Sequence, residues 1–269
     1  MSSFPTKKSY LMKNLFIYFL AALVVFTSAS PVSKKEFKIR TIVLDAGHGG
    51  KDPGCSGKNV HEGNITLDVV LELGKMLNKE IPDLKVIYTR KEHKFVELHD
   101  RAKIANDNKA DLFISIHCNS GQPETYGSES YVMGLHTTDG NLAVAKRENE
   151  VVLKEKNYKA KYNGYDPKSP TGHILMTLFQ HAYMENSIKF AQKVEENFKN
   201  DLKRKSRGVK QAGFLVLWKT SMPSTLVEIG YLSNNQDEAY LSSDEGKKQV
   251  AKAITDAVKA YKNEIESEN

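Results

Sequence analysis

The chain has 269 residues, enough for one sizeable domain or two, and its 40% hydrophobic and 27% charged residues are ordinary for a globular enzyme. The formal net charge is +6; the first 30 residues contribute three lysines and no acids, so the remainder carries 36 − 33 = +3. This composition excludes a collagen, a coiled coil and a mainly disordered chain. No stretch combines clustered basic residues with aromatic ones, so we do not expect nucleic acid as a partner.

The first 30 residues have the three-part layout of a secretory signal peptide. Lysines precede the apolar run Leu15–Phe26, and small residues suited to cleavage follow it. The run has 12 residues, fewer than the roughly 20 that span a membrane, and an uncleaved N-terminal anchor is the alternative. We predict a signal peptide over residues 1–30, a linker over 31–40 and export to the periplasm or cell envelope. A mildly cationic exported protein suits an anionic polymer such as a cell wall.

Strands and helices alternate along the next part of the chain. Short apolar runs bounded by turn residues predict strands, and apolar residues at helical spacing predict helices. The predicted order is strand Thr41–Asp45, helix Asn64–Lys79, strand Lys85–Thr89, helix Val96–Asn106 and strand Leu112–His117. This alternation predicts an α/β fold with a mixed, mostly parallel sheet flanked by helices.

The second half continues the same domain, which we place at residues 41–265. Its predicted elements are strand Gly127–Gly134, helix Asn141–Lys161, a break at Tyr162–Gly172, helix Ile174–Lys203, strands Phe214–Leu217 and Ser224–Glu228, and helix Glu245–Glu264. Residues of about 140–172 are the only part that looks added to a compact core. We therefore predict a single domain with a helical insertion there.

Four side chains fall where a predicted strand ends or a helix begins: His48, Glu62, His117 and Glu228. In an α/β sheet, ligands bind beyond the carboxyl ends of the strands. Two imidazoles and one carboxylate form a catalytic zinc site with an open position, and a further carboxylate can act as general base. Each of the four has an ordinary structural alternative as a capping or strand-end residue, and His61 competes with Glu62 as a ligand.

Six sequence blocks at suitable spacing carry a resemblance to a known family. The blocks are Asp45-Ala-Gly-His-Gly-Gly-Lys-Asp-Pro-Gly54, Glu62, Thr89-Arg90, Arg101-Ala-Lys-Ile-Ala-Asn106, Ser115-Ile-His-Cys-Asn119 and Leu226-Val-Glu-Ile-Gly-Tyr-Leu-Ser-Asn234. From about Ile42 to the C-terminus, apart from the insertion, the chain resembles the zinc-dependent N-acetylmuramoyl-L-alanine amidases, amidase type 3.

The resemblance implies a phosphorylase/hydrolase-like fold and one Zn²⁺ bound by His48, Glu62 and His117, with Glu228 as the catalytic acid and base. It also implies hydrolysis of the amide between N-acetylmuramic acid and L-alanine in peptidoglycan, for cell-wall remodelling or daughter-cell separation. Two alternatives stay open: an amidase-like module that binds the wall without catalysis, and a zinc peptidase that cuts within the stem peptide.

Other residues of these blocks have expected supporting roles. Asp45 and Asn119 are expected to orient the ligating histidines from behind. Arg90 and Arg101 either touch substrate or have a structural role, such as a salt bridge from Arg101 to Asp45.

The two cysteines, Cys55 and Cys118, flank the proposed site segments, and an even count in an exported protein permits one disulfide. Two separate thiols are the alternative. Because side chains alternate along a strand, Cys118 points away from the face that carries His117, so we exclude it from the metal ligands.

The insertion, residues 141–171, departs from the minimal family pattern. Glu148, Glu150 and Glu155 make its helix acidic and able to cover the cleft. Some members of the family carry a helix that plugs the zinc site until an activator removes it. Either that role, with a protein activator as a partner, or an exposed helix that shapes the substrate groove fits the sequence. We expect the protein to be a monomer.

Overall fold

The computed structural model describes residues 38–135, 138–162, 164–165 and 183–268, which lie in one compact unit, Lys38–Glu268. The predicted signal peptide, most of the linker and residues 166–172 of the insertion lie outside the described residues. Within the described ranges, no helix has both the length and the apolar character needed to cross a bilayer.

Six strands of the described chain form one sheet in the order β2-β1-β3-β6-β4-β5. The strands are β1 (Thr41–Ala46), β2 (Lys85–Tyr88), β3 (Leu112–Asn119), β4 (Ser128–Met133), β5 (Ser206–Ala212) and β6 (Ser224–Tyr231). Only the pairing of β4 with β6 is antiparallel, and the other four pairings are parallel. The predicted mixed, mostly parallel sheet is confirmed.

Helices cover both faces of the sheet. They are α1 (Glu62–Glu80), α2 (Leu98–Asp107), α3 (Asp139–Asn149), α4 (Tyr158–Lys161), α5 (Met184–Asn200), α6 (Leu215–Trp218), α7 (Asn235–Ser242) and α8 (Asp244–Ser267), with a 3-10 turn at Glu150–Lys154. On one face, α1, α5 and α8 bury an apolar stripe against alternate strand residues such as Ile114 and Ile116. On the other, α2, α6 and the insertion cover Val43, Phe113 and Leu226.

The alternation along β3 assigns the proposed site to one face. Ile114, Ile116 and Cys118 point into the core beneath α1 and α8, as predicted for the cysteine. His117 lies on the opposite face, in line with Phe113, so it points toward α2 and the insertion. The described part of the insertion consists of α3, the 3-10 turn and α4, and it lies over the site.

Several predicted elements differ from those observed. The run Phe214–Leu217 is not a strand: Leu215 begins helix α6, since a short buried apolar run has no periodicity that separates strand from helix. The preceding strand, β5, was not predicted because it is a polar edge strand with only one fully buried residue. Helix α7 was also not predicted. The single helix expected over Asn141–Lys161 is three short pieces, and of the helix expected over Ile174–Lys203 the structure describes Met184–Asn200 as helical.

Candidate metal centre

His48 lies in a glycine loop directly after β1. Its backbone is left-handed, with φ of 58°, and Gly49 and Gly50 also have positive φ, which turns the chain sharply. Asp52 accepts a hydrogen bond from Nδ1 of His48 at 2.7 Å, and this bond fixes the ring so that Nε2 points inward. Gly54 leaves the space for this arrangement, because a Cβ there would lie 2.5 Å from Oε2 of Glu62.

Glu62 occupies the first turn of α1, and its side chain is fully buried. The backbone amide of Cys118 donates to Oε1 and that of Cys55 donates to Oε2, both at 2.9 Å. Burial raises the pKa of this carboxyl, but the His48 charge and the hydrogen bonds with His117 and His48 together outweigh it and lower the pKa to about 2. Glu62 is thus an anchored carboxylate with Oε1 turned toward both histidines.

His117 completes the predicted trio at the end of β3. Its Nδ1 lies 3.0 Å from Oε1 of Glu62, and its ring centre lies 4.9 Å from that of His48. A Cβ at Gly47 would meet the His117 ring at 2.6 Å, so this glycine also makes room for a ligand. The structure therefore brings His48, Glu62 and His117 together. His61 lies elsewhere: its ring pairs with the Ser56 hydroxyl at an exposed position.

A fourth donor comes from the insertion. Oε2 of Glu148, on α3, lies 3.0 Å from Nε2 of His48 and 3.2 Å from Nδ1 of His117. One ligand atom from each of His48, Glu62, His117 and Glu148 lies within 4.8 Å of the others. Sequence reasoning placed Glu148 only on a helix able to cover the cleft and did not name it as a ligand.

A bound zinc ion would satisfy the donor atoms better than hydrogen bonds among them do. Nε2 of His48 and Oε2 of Glu148 are both buried and lack a hydrogen-bond partner of acceptable geometry among the described residues, although they are only 3.0 Å apart. A buried polar atom without a partner is costly, and a cation bound between them removes that cost. Two imidazoles with carboxylates form a donor set suited to Zn²⁺.

Glu228 lies beside this cluster without belonging to it. It is the register partner of His117 across β3 and β6, so both side chains project from the same face of the sheet. Its carboxylate is fully buried, and neither oxygen has a hydrogen-bond partner in the described part of the chain. Burial first, and then the nearby Glu148 carboxylate, raise the pKa of Glu228 well above its usual range. Nη2 of Arg147, on α3, lies 3.8 Å from Oε1.

The two predicted arginines support the glycine loop from behind. Arg101 donates to Asp45 at 2.8 Å and to the carbonyls of Ala46 and His48. Arg90 donates to the carbonyls of Ala46, Gly47 and Gly63. Both side chains are almost completely buried, so the structure favours the structural role over substrate contact.

Asp45 and Asn119 do not hold the ligating histidines. Asp45 accepts hydrogen bonds from Thr89, Arg101 and Ser115, and the histidine-orienting role expected of it falls to Asp52. Asn119 donates to Glu129 at 2.6 Å and accepts from Arg147 at 2.9 Å. The spacing of Asp52 from His48, four residues within a glycine loop, was the available signal for its role.

Cys55 and Cys118 are free thiols in the structure, so the disulfide that their even count permitted is not formed. Sγ of Cys55 donates to the carbonyl oxygen of Cys118 at 3.0 Å, while the Cys118 side chain is buried in the core of the opposite face. Burial raises the pKa of both thiols, and neither is among the clustered ligands.

The insertion is attached to the rest of the domain around this centre. Arg147 donates to Ser120 and Asn119, Lys154 forms an ion pair with Asp52 at 2.6 Å, and Glu155 accepts from the backbone amide of Leu98 at 2.7 Å. A cavity of about 380 Å³ remains between the insertion and the glycine loop, lined on one side by Asp52 and Cys55 and on the other by Arg147 and Leu153.

An α/β sheet that carries clustered candidate metal ligands and a buried carboxyl without a hydrogen-bond partner at its strand ends is typical of enzymes that hydrolyse amides with a bound metal ion. The comparison with known proteins gives the particular family. Residues 42–260 match the model of the N-acetylmuramoyl-L-alanine amidase family, and the chain belongs to that family. The predicted family and enzyme class are confirmed.

Individual relatives agree with this assignment. The chain is 31% identical to the N-acetylmuramoyl-L-alanine amidase AmiA of Escherichia coli over 237 residues, which cover 87% of this chain and 80% of AmiA. The solved amidase AmiC2 of Nostoc punctiforme is 28% identical, with a TM-score of 0.59 over 82% of this chain and 96% of its own. An amidase from Clostridium difficile 630 is 25% identical, with a TM-score of 0.61 over 84% of this chain and 97% of its own.

Proposed function

We propose that this peptidoglycan amidase uses one Zn²⁺ held by His48, Glu62 and His117, and that Glu228 is its general acid and base. The bond cut is the amide between N-acetylmuramic acid and L-alanine. The observation that carries the proposal is the convergence of the candidate ligand atoms within 4.8 Å, beside a buried carboxyl that has no hydrogen-bond partner among the described residues.

Each protein group has a distinct task in this reaction. A bound Zn²⁺ lowers the pKa of a water ligand and polarises the scissile carbonyl. Asp52 holds His48 in one orientation, and the amides of Cys55 and Cys118 hold Glu62. Glu228 accepts the proton of the attacking water and delivers it to the leaving nitrogen of L-alanine.

The ability of Glu228 to accept a proton depends on the charges around it. Burial first, and then the Glu148 carboxylate next to it, raise the pKa of Glu228, which favours the protonated form of this carboxyl. A base must be deprotonated at the working pH. Withdrawal of Glu148 removes one negative neighbour, which lowers the pKa of Glu228 and favours the form able to accept a proton.

In this conformation the insertion is a plug. Glu148 takes the ligand position that an open catalytic zinc site leaves for water and substrate, and its side chain is 5% exposed. Arg147 lies over Glu228 and binds Asn119 on the far side of the cleft. We infer that substrate enters only after α3 moves away, and that a protein activator acts on residues 141–171 to move it.

Peptidoglycan as the substrate places the reaction outside the cytoplasm. The signal peptide over residues 1–30, the cleavage that would remove it and a periplasmic or envelope location fit that substrate and remain part of the proposal. A monomer is likewise proposed, because all of the ligands and the acid/base come from one chain.

Mass spectrometry of digested peptidoglycan tests the bond that is cut. We expect the zinc-loaded protein to release intact stem peptides with a free N-terminal L-alanine. Cuts between amino acids would instead indicate the peptidase, and new glycan reducing ends would exclude an amidase. If neither the wild type, with or without an activator, nor the Glu148→Ala variant releases any product, the protein is a non-catalytic wall-binding module.

A further inference from the structure

A row of charged side chains runs from the metal centre toward the far edge of the sheet. His117 on β3 pairs in register with Glu228 on β6, and Glu228 pairs with Glu129 on β4. The register shift between Ser128 and Ser130 leaves Arg207 and Gly208 of β5 beside Glu129, and the Arg207 side chain contacts the Glu129 carboxylate. These four side chains therefore follow one another across four strands on the face that carries the site.

The far end of the row is cationic and open to solvent. Nε of Arg207 donates to Oε2 of Glu129 at 3.2 Å, and Nζ of Lys210 binds the same oxygen. The Arg207 side chain is 31% exposed and that of Lys210 is 23% exposed, whereas Glu129 is 1% exposed. Two cations thus share one buried carboxylate, which leaves an excess positive charge at a position that a solute can reach.

Both cations also retain unused hydrogen-bond donors. Among the described residues, Arg207 has its one hydrogen bond through Nε, and its guanidinium lies 5.5 Å from the Tyr231 ring centre. The planar guanidinium therefore has its terminal N–H groups available for a second carboxylate, which it can bind through two parallel bonds. Glu129 holds the two cations in place through partly buried contacts.

We propose that Arg207 and Lys210 bind a carboxylate of the stem peptide, on the residue that follows L-alanine, and so select an acidic residue over its amide. This inference rests on the proposed amidase function. Adjacent strands lie about 4.8 Å apart, so Glu129 is one strand spacing from Glu228. An extended peptide advances about 3.5 Å per residue, which brings the residue after alanine to the Glu129 and Arg207 end of the row.

Two soluble muramyl peptides test the selection. They are identical except that the residue after L-alanine carries a carboxylate in one and a carboxamide in the other. We measure kcat/KM for both with the full-length, zinc-loaded chain carrying Glu148→Ala, which leaves the site open. We expect the acid to be preferred about tenfold or more, because hydrogen bonds to charged groups contribute that much.

The variants separate a substrate contact from a structural salt bridge. Arg207→Gln should lower kcat/KM for the acid by about tenfold and leave the amide unchanged, and Arg207→Lys should restore part of the preference. Lys205→Gln is the matched control, since Lys205 is exposed, contacts the Tyr126 ring and lies outside the row. Equal kcat/KM for the two substrates, or an equal loss on both in Arg207→Gln, would overturn the inference.

The product dipeptide is L-alanine followed by the acidic residue or by its amide. Calorimetric measurement of its binding distinguishes failure of the carboxylate subsite from failure of the amidase mechanism. Tighter binding of the acid that depends on Arg207, without cleavage of either muramyl peptide, would support the carboxylate subsite and refute the amidase mechanism. Cleavage without any preference in either assay would retain the amidase and refute the subsite.

Discussion

The metal centre and the insertion above it are built in different ways. His48, Glu62 and His117 project from the ends of two buried central strands and from the first turn of a long helix, and each is held by at least one further hydrogen bond or glycine contact. The described part of the insertion consists of short helical pieces, held by polar contacts around the centre and by buried apolar residues such as Val151 and Val152 against the sheet. In the proposed mechanism, the sheet supplies a fixed set of ligands and the insertion supplies a ligand that must be withdrawn.

This contrast predicts opposite outcomes for substitutions on the two sides. Changes in the sheet and glycine loop should abolish activity, because they remove chemistry or metal. Changes in the insertion should raise activity, because they remove an obstruction.

The largest effect is expected for Glu228→Gln. The amide cannot accept or deliver the proton, so kcat should fall by about 10²- to 10⁴-fold. Zinc content should stay at one ion per chain, because Glu228 is not among the clustered ligands. Turnover of purified sacculi and metal analysis measure the two quantities. Activity close to the wild type would show that another group is the base.

Asp52→Asn should weaken the metal site without removing a ligand. Asp52 fixes Nδ1 of His48, and loss of such a supporting carboxylate lowers metal affinity by about 10- to 100-fold. Competition with a zinc chelator measures this affinity. Lys154→Gln removes the other ion pair of Asp52 and leaves the His48 contact in place, so it is the matched control. An unchanged affinity in Asp52→Asn would show that the loop, and not this carboxylate, orients His48.

Glu148→Ala should raise basal activity on sacculi by about tenfold or more. The substitution removes the fourth ligand and the negative neighbour of Glu228, while the three sheet-side ligands keep the metal. Glu150→Ala is the control, because Glu150 is an exposed acid on the same segment and is not in the ligand cluster. If activity does not rise, or if it rises equally in both variants, Glu148 is not what closes the site.

The smallest effect is a pH dependence of insertion opening. Burial raises the pKa of Glu155, which accepts hydrogen bonds from the Leu98 amide and the Tyr162 hydroxyl. A raised pKa in the closed form means that its stabilisation is fully present below the usual glutamate pKa and is lost as the pH rises through the raised value. The hydrogen-exchange protection factors of residues 150–162, which correct for the intrinsic effect of pH on exchange, should therefore fall with rising pH across that window. In Glu155→Gln this dependence should disappear; its persistence would assign it to another group.

The positions of His48, Glu62, His117 and Glu228 at one edge of the sheet could be predicted because they depend on local rules. A histidine between glycines after an apolar strand, or a glutamate at a helix start, falls at the carboxyl edge of an α/β sheet whatever the distant contacts. The central strands could also be predicted from the sequence, because buried parallel strands are continuous apolar runs. The polar edge strand β5 has no such run, and its position depends on pairing with β4.

Glu148 could not be predicted as a ligand for a related reason. It is one of several acids on a polar segment, and nothing in its neighbours distinguishes it from the exposed Glu150. Its approach to His48 depends on how α3 packs over the sheet, which is a long-range contact between residues 100 positions apart. The structural role of Arg90 and Arg101 is similar, since their partners are backbone carbonyls of the folded glycine loop.

Anomalous diffraction at the zinc edge from crystals of the full-length, zinc-loaded chain tests the central claim most directly. The account predicts one ion bound by His48, Glu62 and His117, with Oε2 of Glu148 as the fourth ligand at about 2.0–2.2 Å. An ion bound by Glu228 or a cysteine in place of one of the trio would contradict the proposed site. An ion bound by the trio with Glu148 turned away from it would contradict the proposal that Glu148 is a fourth ligand that closes the site.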